Sequence, residues 1–174
     1  MIELELEKTY LAKSIPEDLK SSPYKEVADM YIPETNVHPV LRIRKKGNSF
    51  EITKEEPVAD GDASEQSEHT IKLTEEEYAA LMSMKGKRVR KIRYLYSHNG
   101  LNAEFDVFQD ALEGLVLVDF EFKNTKEKNA FQMPDFCLAD VTQDSTFAGG
   151  MICGKAYKDI ESHLGKLGYK PLYP

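Results

Sequence analysis

At the start of the chain, apolar residues alternate with glutamate: Ile2-Glu3-Leu4-Glu5-Leu6-Glu7. This is the period of a β-strand with one packed and one polar face; it puts Glu3, Glu5 and Glu7 together and Ile2, Leu4 and Leu6 opposite them. The period returns with the opposite charge in Leu41-Arg42-Ile43-Arg44, and after a turn at Gly47-Asn48 a second strand runs from Phe50 to Lys54. Further alternating runs are Glu68–Leu73, Val89–Tyr96 with Lys91 and Arg93 on one face, and Leu101–Phe108 with Glu104 and Asp106 on one face. Leu115–Lys123 follows, with Asp119, Glu121 and Lys123 at one parity. Asn99-Gly100 predicts a tight hairpin between two of these runs, and Met30-Tyr31-Ile32 predicts a short strand. Helical signals are fewer. Lys13–Leu19 reads as a short turn with Pro16 near its start, and Thr74-Glu75-Glu76-Glu77 is a capping box opening a helix to about Met84. Asp159–Gly168 reads as an amphipathic helix with a glycine stop. The polar stretch from Glu56 to Ser67, with Asp60-Gly61-Asp62, reads as a loop.

Three like charges on one strand face repel unless water, cations or arginines neutralise them. Strands that are apolar on one side and strongly charged on the other, joined mostly by short turns, predict an α+β chain. The expected architecture is an eight-stranded antiparallel β-barrel with a charged lumen and a few covering helices. With 174 residues, 41% of them hydrophobic, the chain reads as a single domain over 1–174. The net charge of −7 argues against a general nucleic-acid binder, because phosphate-backbone affinity needs a basic surface. Cys137 and Cys153 lack metal-like spacing and read as reduced packing residues of a cytoplasmic protein. No apolar run of about 18 residues and no leader points to a membrane.

At lumen parity the acids are Glu5, Glu7, Glu104, Asp106, Asp119 and Glu121, and the bases are Arg42, Arg44, Lys91, Arg93 and Lys123. Carboxylates clustered without histidine or cysteine suit hard divalent cations, Mg²⁺ or Mn²⁺, which favour phosphate oxygens as further ligands. Arginines at i and i+2 suit a polyanion with several phosphoryl groups. A lumen with an acidic and a basic wall therefore fits a metal-bound linear triphosphate.

The ordered set Glu5-Leu6-Glu7, Leu41-Arg42-Ile43-Arg44 with Gly47, Phe50-Glu51-Ile52-Thr53, Lys91-Ile92-Arg93-Tyr94, Glu104-Phe105-Asp106-Val107-Phe108, Gly114-Leu115, Asp119-Phe120-Glu121-Phe122 and Asp140-Val141-Thr142 resembles the CYTH family, the triphosphate tunnel metalloenzymes. The resemblance spans nearly the whole chain. It implies an eight-stranded tunnel, dependence on Mg²⁺ or Mn²⁺, and hydrolysis of a triphosphate such as inorganic tripolyphosphate or a nucleoside triphosphate. Class IV adenylate cyclisation and binding of a polyphosphate or nucleotide with little turnover are the alternatives. By this resemblance Glu5, Glu7, Glu104, Asp106, Asp119 and Glu121 would hold metal, and Arg42, Arg44, Lys91 and Arg93 would hold phosphates, with Lys54 and Lys123 as further candidates for phosphate binding. Glu5, Glu7, Arg42 and Arg44 would be central to catalysis. The partner would be a small-molecule triphosphate, not a nucleic acid or a membrane, and the family admits a homodimer. The chain departs from the pattern at Thr9, where the first motif has lysine, and at Glu55, where many members have lysine two places after the threonine; Lys54 reaches the lumen only if a bulge turns it inward.

Overall fold

The structure, a computed structural model, describes residues 2–58 and 61–174, with every side chain among them except those of Ile2, Glu3 and Leu101. The expected place of Glu3 on the charged face and that of Asp60 in the polar loop lie outside this description. The elements are β1 (Ile2–Ala12), β2 (Tyr24–Ile32), β3 (Leu41–Lys46), β4 (Ser49–Pro57), β5 (Glu65–Leu73), α1 (Glu75–Met82), β6 (Lys87–His98), β7 (Leu101–Phe108), β8 (Val116–Glu121), α2 (Thr125–Ala130), β9 (Cys137–Asp140), α3 (Gly149–Ile152) and α4 (Tyr157–Lys166). The strands run antiparallel in the order β5-β4-β3-β2-β6-β7-β8-β1-β9, and an additional pairing of β1 with β5 closes the first eight into a barrel.

Closure depends on the length of β1. Its first residues pair with β5, with Glu5 opposite Gln66 and Leu6 opposite Glu65. Its later residues pair on one edge with β8, Thr9 opposite Asp119, and on the other with β9, Tyr10 opposite Asp140. The expected hairpins form: the residues of Asn99-Gly100 both adopt positive φ, 51° and 79°, as a type I′ turn requires. The capping box at Thr74 forms as well, Glu77 N–H donating to Thr74 Oγ1 while Thr74 N–H donates to Glu77 Oε2.

Other expectations are corrected. β2 runs for 9 residues, far beyond Met30–Ile32, because Val27, Asp29, Met30 and Tyr31 are all buried and the contrast between faces that marks a strand is lost. β9, α2 and α3, with 4, 6 and 4 residues, are too short to show a period. The turn expected over Lys13–Leu19 forms later, as a 3₁₀ turn at Leu19–Ser21.

Two apolar clusters hold the barrel. One lies on the outer wall of β1, β7 and β8, where Tyr10, Phe105, Val107, Val116, Val118 and Phe120 are covered by Phe131, Phe136 and Leu19. The other closes one end. Along three strands the inward residues change from polar to apolar: Glu5, Glu7 and Thr9 give way to Leu11, Asp106 to Phe108, and Asp119 to Leu117. These meet Val141, Phe147, Ile152, Ile160 and Leu164. Thus α4, the amphipathic helix of the sequence reading, caps the barrel's end. The neighbouring α3 comes so close to the segment before β3 that a Cβ on Gly150 would collide with the Pro39 carbonyl oxygen, a contact only glycine permits.

Phe105 is fully buried and stacks edge-on against Tyr96 at 5.7 Å. Phe105→Ala is expected to cost about 3–5 kcal/mol, measured as a lowered urea midpoint.

Candidate functional site

The lumen encloses a cavity of about 740 Å³. Its basic wall is β3, where Arg42, Arg44 and Lys46 project inward at alternate positions. Its acidic wall is formed by β1 and β8. Glu5, Glu7 and Glu121 come from these strands, and their carboxylates can present oxygens that all lie within 4.8 Å of one another. The register explains this: Glu7 faces Glu121 directly across the ladder, and Glu5 lies one inward step along β1.

Electrostatics separates the acids into two groups. Burial, then the charges of Glu68 and Glu55, push Glu5 up to about 7 against the opposing pull of Arg42. Burial, then Asp119 and Glu5, raise Glu7 well above the ordinary carboxylate range, and Glu121 is raised by partial desolvation and by Glu104. In all three, burial and neighbouring carboxylates outweigh the pull of the lumen cations. Asp106 differs: the cost of its burial is overridden by Arg93 and Lys91, which hold it below the ordinary range. Arg93 donates from Nε and Nη2 to the two Asp106 oxygens at 2.6 Å each, from Nη2 to Asp119 at 3.1 Å, and from Nη1 to Glu104. Lys91 also donates to Asp106. Asp119 accepts from Thr9 Oγ1 at 2.8 Å and is nevertheless raised to about 6, by burial and by Asp106.

Of the six acids expected to hold metal, the structure therefore gathers Glu5, Glu7 and Glu121 and engages Glu104, Asp106 and Asp119 with Arg93. The basic wall is also braced. Arg44 donates from Nε and Nη2 to Asp29 at 2.7 and 2.8 Å, leaving Nη1 free of that pair. Arg42 pairs with Glu55 and lies 3.6 Å from Glu68. Lys54 and Lys123 are not in the lumen. The β3–β4 register is continuous through Arg42–Thr53 and Leu41–Lys54, so no bulge turns Lys54; its side chain is 51% exposed and pairs with Glu56 outside. Lys123 lies exposed beyond the end of β8. Asp140 is exposed too and accepts from Thr142.

Several lumen residues escaped the sequence reading. Lys46 continues the Arg42–Arg44 parity and could have been found by extending it two places. Asp29 was hidden by the doubly buried β2. Glu55 carried the right parity but was seen only as a missing lysine.

No family model matches the chain. It is 28% identical over 146 residues to the inorganic triphosphatase of Nitrosomonas europaea, an alignment that spans 82% of this chain and 92% of that protein. The fold matches the crystal structure of the inorganic triphosphatase NE1496 with a TM-score of 0.63 at 24% identity, covering 87% of this chain and 95% of the other. The chain therefore shares the closed antiparallel barrel fold of that triphosphatase structure. The barrel also matches a candidate adenylate cyclase of Bacillus halodurans, with a TM-score of 0.54 at 14% identity over 99% and 94% of the two chains. Among the described residues of the tunnel protein, no helix is long and apolar enough to cross a membrane.

Burial alone would raise the Asp29 carboxyl, but Arg44 holds it at about 2 against an ordinary value of 3.8. The pair therefore contributes its full stability above pH 3.8, and that contribution is lost as pH falls toward 2. Asp29→Ala, which strands the buried Arg44, is expected to cost about 3–5 kcal/mol in urea unfolding at pH 7 and to flatten the pH dependence of stability between pH 4 and 2. For the acids, Glu121→Gln is expected to weaken Mn²⁺ binding by more than the roughly 10- to 100-fold that loss of a supporting hydrogen bond costs a metal site. Glu104→Gln, whose carboxylate serves Arg93, is expected to change it far less; calorimetric titration compares the two.

Proposed function

We propose that this protein is a metal-dependent triphosphatase that hydrolyses a linear triphosphate, inorganic tripolyphosphate before nucleoside triphosphates, inside its barrel. The observation that carries this reading is one closed lumen in which the Glu5–Glu7–Glu121 carboxylates face an arginine-bearing strand. The similarity to the Nitrosomonas europaea inorganic triphosphatase supports the choice of substrate.

A divalent cation fits the acidic group on its chemistry. The group supplies only hard oxygen donors, and burial together with neighbouring carboxylates raises all three carboxyls, a condition that Mg²⁺ or Mn²⁺ relieves. Such an ion, bound by Glu5, Glu7 and Glu121, would polarise a phosphoryl oxygen and lower the pKa of a bound water. The remaining work falls to the chain. Arg44 presents Nη1, the donor its pair with Asp29 leaves over, to phosphoryl oxygens along β3. Asp29 fixes the plane of that guanidinium, so little reorganisation is needed as charge moves to the leaving phosphate. Arg42, fixed by Glu55, adds positive field beside it. For tripolyphosphate, water attacks the terminal phosphorus, the P–O bond to the next phosphate breaks, the electron pair leaves with pyrophosphate, and the proton lost by the water is released to solvent.

A binding role with little turnover is the second reading, and a specific observation favours it. At the two positions where the resemblance leads one to expect lysine, Thr9 donates to Asp119 and Glu55 accepts from Arg42, so neither supplies an amine to the phosphates.

Phosphate release from tripolyphosphate, ATP and thiamine triphosphate, each with Mg²⁺, Mn²⁺ or chelator, separates the readings. Chelator-sensitive release, fastest from tripolyphosphate and abolished by Glu5→Gln with Glu7→Gln, is the expected result. Thermal stabilisation by a metal–triphosphate mixture without release would instead establish the binder. Cyclic AMP and pyrophosphate from ATP would establish the cyclase.

A further inference from the structure

The lumen's cations are not equivalent. Arg42 is held by Glu55 and Glu68, Arg44 by Asp29, and Lys91 and Arg93 by Asp106, with Glu104 and Asp119 also on Arg93. Lys46 lines the same cavity, yet among the described residues no carboxylate lies within the 4.0 Å of an ion pair and its ammonium donates no hydrogen bond. It is half-buried, at the third inward position of β3, two residues beyond Arg44 and one before the Gly47 turn. From there it lies within the field of Glu121, one of the three crowded carboxylates, and of Glu104, Arg93 and Arg44.

An amine that is partly desolvated and unpaired needs a reason, because the burial of a cation is uncompensated until an anion reaches it. Its neighbour Lys45 shows the ordinary solution: it points outward, is exposed, and lies 5.5 Å from the centre of the Phe50 ring. Lys46 is also the one inward lysine of β3. An ammonium is a compact donor with three mobile hydrogens and suits a single rotating phosphoryl group, whereas the braced guanidiniums offer fixed forks.

We propose that Lys46 is a substrate-gripping residue of this tunnel, closing its ammonium on a phosphoryl group of the triphosphate beside the Glu5–Glu7–Glu121 group. This rests on the triphosphate reading and adds to it the residue that supplies the mobile amine. The ladder Arg42, Arg44, Lys46 then runs along the substrate with two cations fixed by the protein and a third fixed by the ligand.

The test compares the unaltered protein with Lys46→Gln, Lys46→Arg and the outward control Lys45→Gln. Two readouts are used: affinity for imidotriphosphate, a hydrolysis-resistant triphosphate, with Mg²⁺ by calorimetry, and kcat and KM for tripolyphosphate. Lys46→Gln is expected to weaken imidotriphosphate binding by at least about tenfold, the usual effect of losing a charge-assisted hydrogen bond, and to raise KM more than it lowers kcat. Lys46→Arg is expected to restore most of the affinity, and Lys45→Gln to match the unaltered protein. Unchanged affinity in Lys46→Gln overturns the proposal while leaving the triphosphatase reading intact. Equal loss in Lys46→Gln and Lys46→Arg, with both melting temperatures lowered, would mark a structural role and also overturns it. An unaltered protein that neither binds imidotriphosphate nor releases phosphate overturns the triphosphate reading, and this proposal with it.

Discussion

Charge enclosed by a barrel has to be answered by charge, because a desolvated carboxylate or guanidinium costs on the order of several kcal/mol unless it is paired. The wiring of this lumen follows from that constraint. Arg93 spends its donors on Asp106, Asp119 and Glu104, and Arg44 gives two of its own to Asp29. Each pair is set by cross-strand register: Arg93 stands opposite Asp106, Arg44 opposite Asp29, and Glu104 opposite Asp119. A slip of one residue in any of these ladders would turn the charges outward and the apolar wall residues inward. The same contacts therefore fix the register and hold the guanidinium planes still.

What the internal pairs leave over defines what the site can bind. On one side remain Glu5, Glu7 and Glu121, pushed together with raised carboxyls; on the other remains Lys46, without a carboxylate partner among the described residues. A cation answers the first and an anion the second. A metal-bound polyphosphate carries both, with the spacing between them set by bonds inside the ligand. The apolar plug of Leu11, Phe108, Leu117 and Phe147 limits how deep such a ligand can pass.

Much of this was legible in the chain because the barrel writes its two faces as period-two alternation. The opening strand, the Arg42–Arg44 strand and the hairpin at Asn99-Gly100 all carry that contrast. It fails where both faces are buried, as in β2, and where an element is shorter than its own period, as in α3 and β9. The site was legible as a set of residues at lumen parity but not as a set of partners. Parity says that Glu104, Asp106 and Asp119 share the lumen with Glu5, Glu7 and Glu121; only the register across β6, β7 and β8 decides that Arg93 takes the first three. Lys54 went astray for the complementary reason. Resemblance suggested an amine near that point, and the unbroken β3–β4 ladder gives the inward place to Glu55.

The substitutions at Thr9 and Glu55 act in one direction. A lysine at either position would add positive charge to the lumen; Thr9 adds none and its hydroxyl serves Asp119, and Glu55 adds a negative charge and occupies Arg42. The cavity is consequently lined by more acids than bases, and a free polyanion entering it meets net repulsion. A divalent ion on the acidic wall reverses the local sign. On the triphosphatase reading the cation is thus a condition for phosphate binding as well as a catalyst, and more of the remaining anion recognition falls on Lys46, which has no carboxylate partner among the described residues.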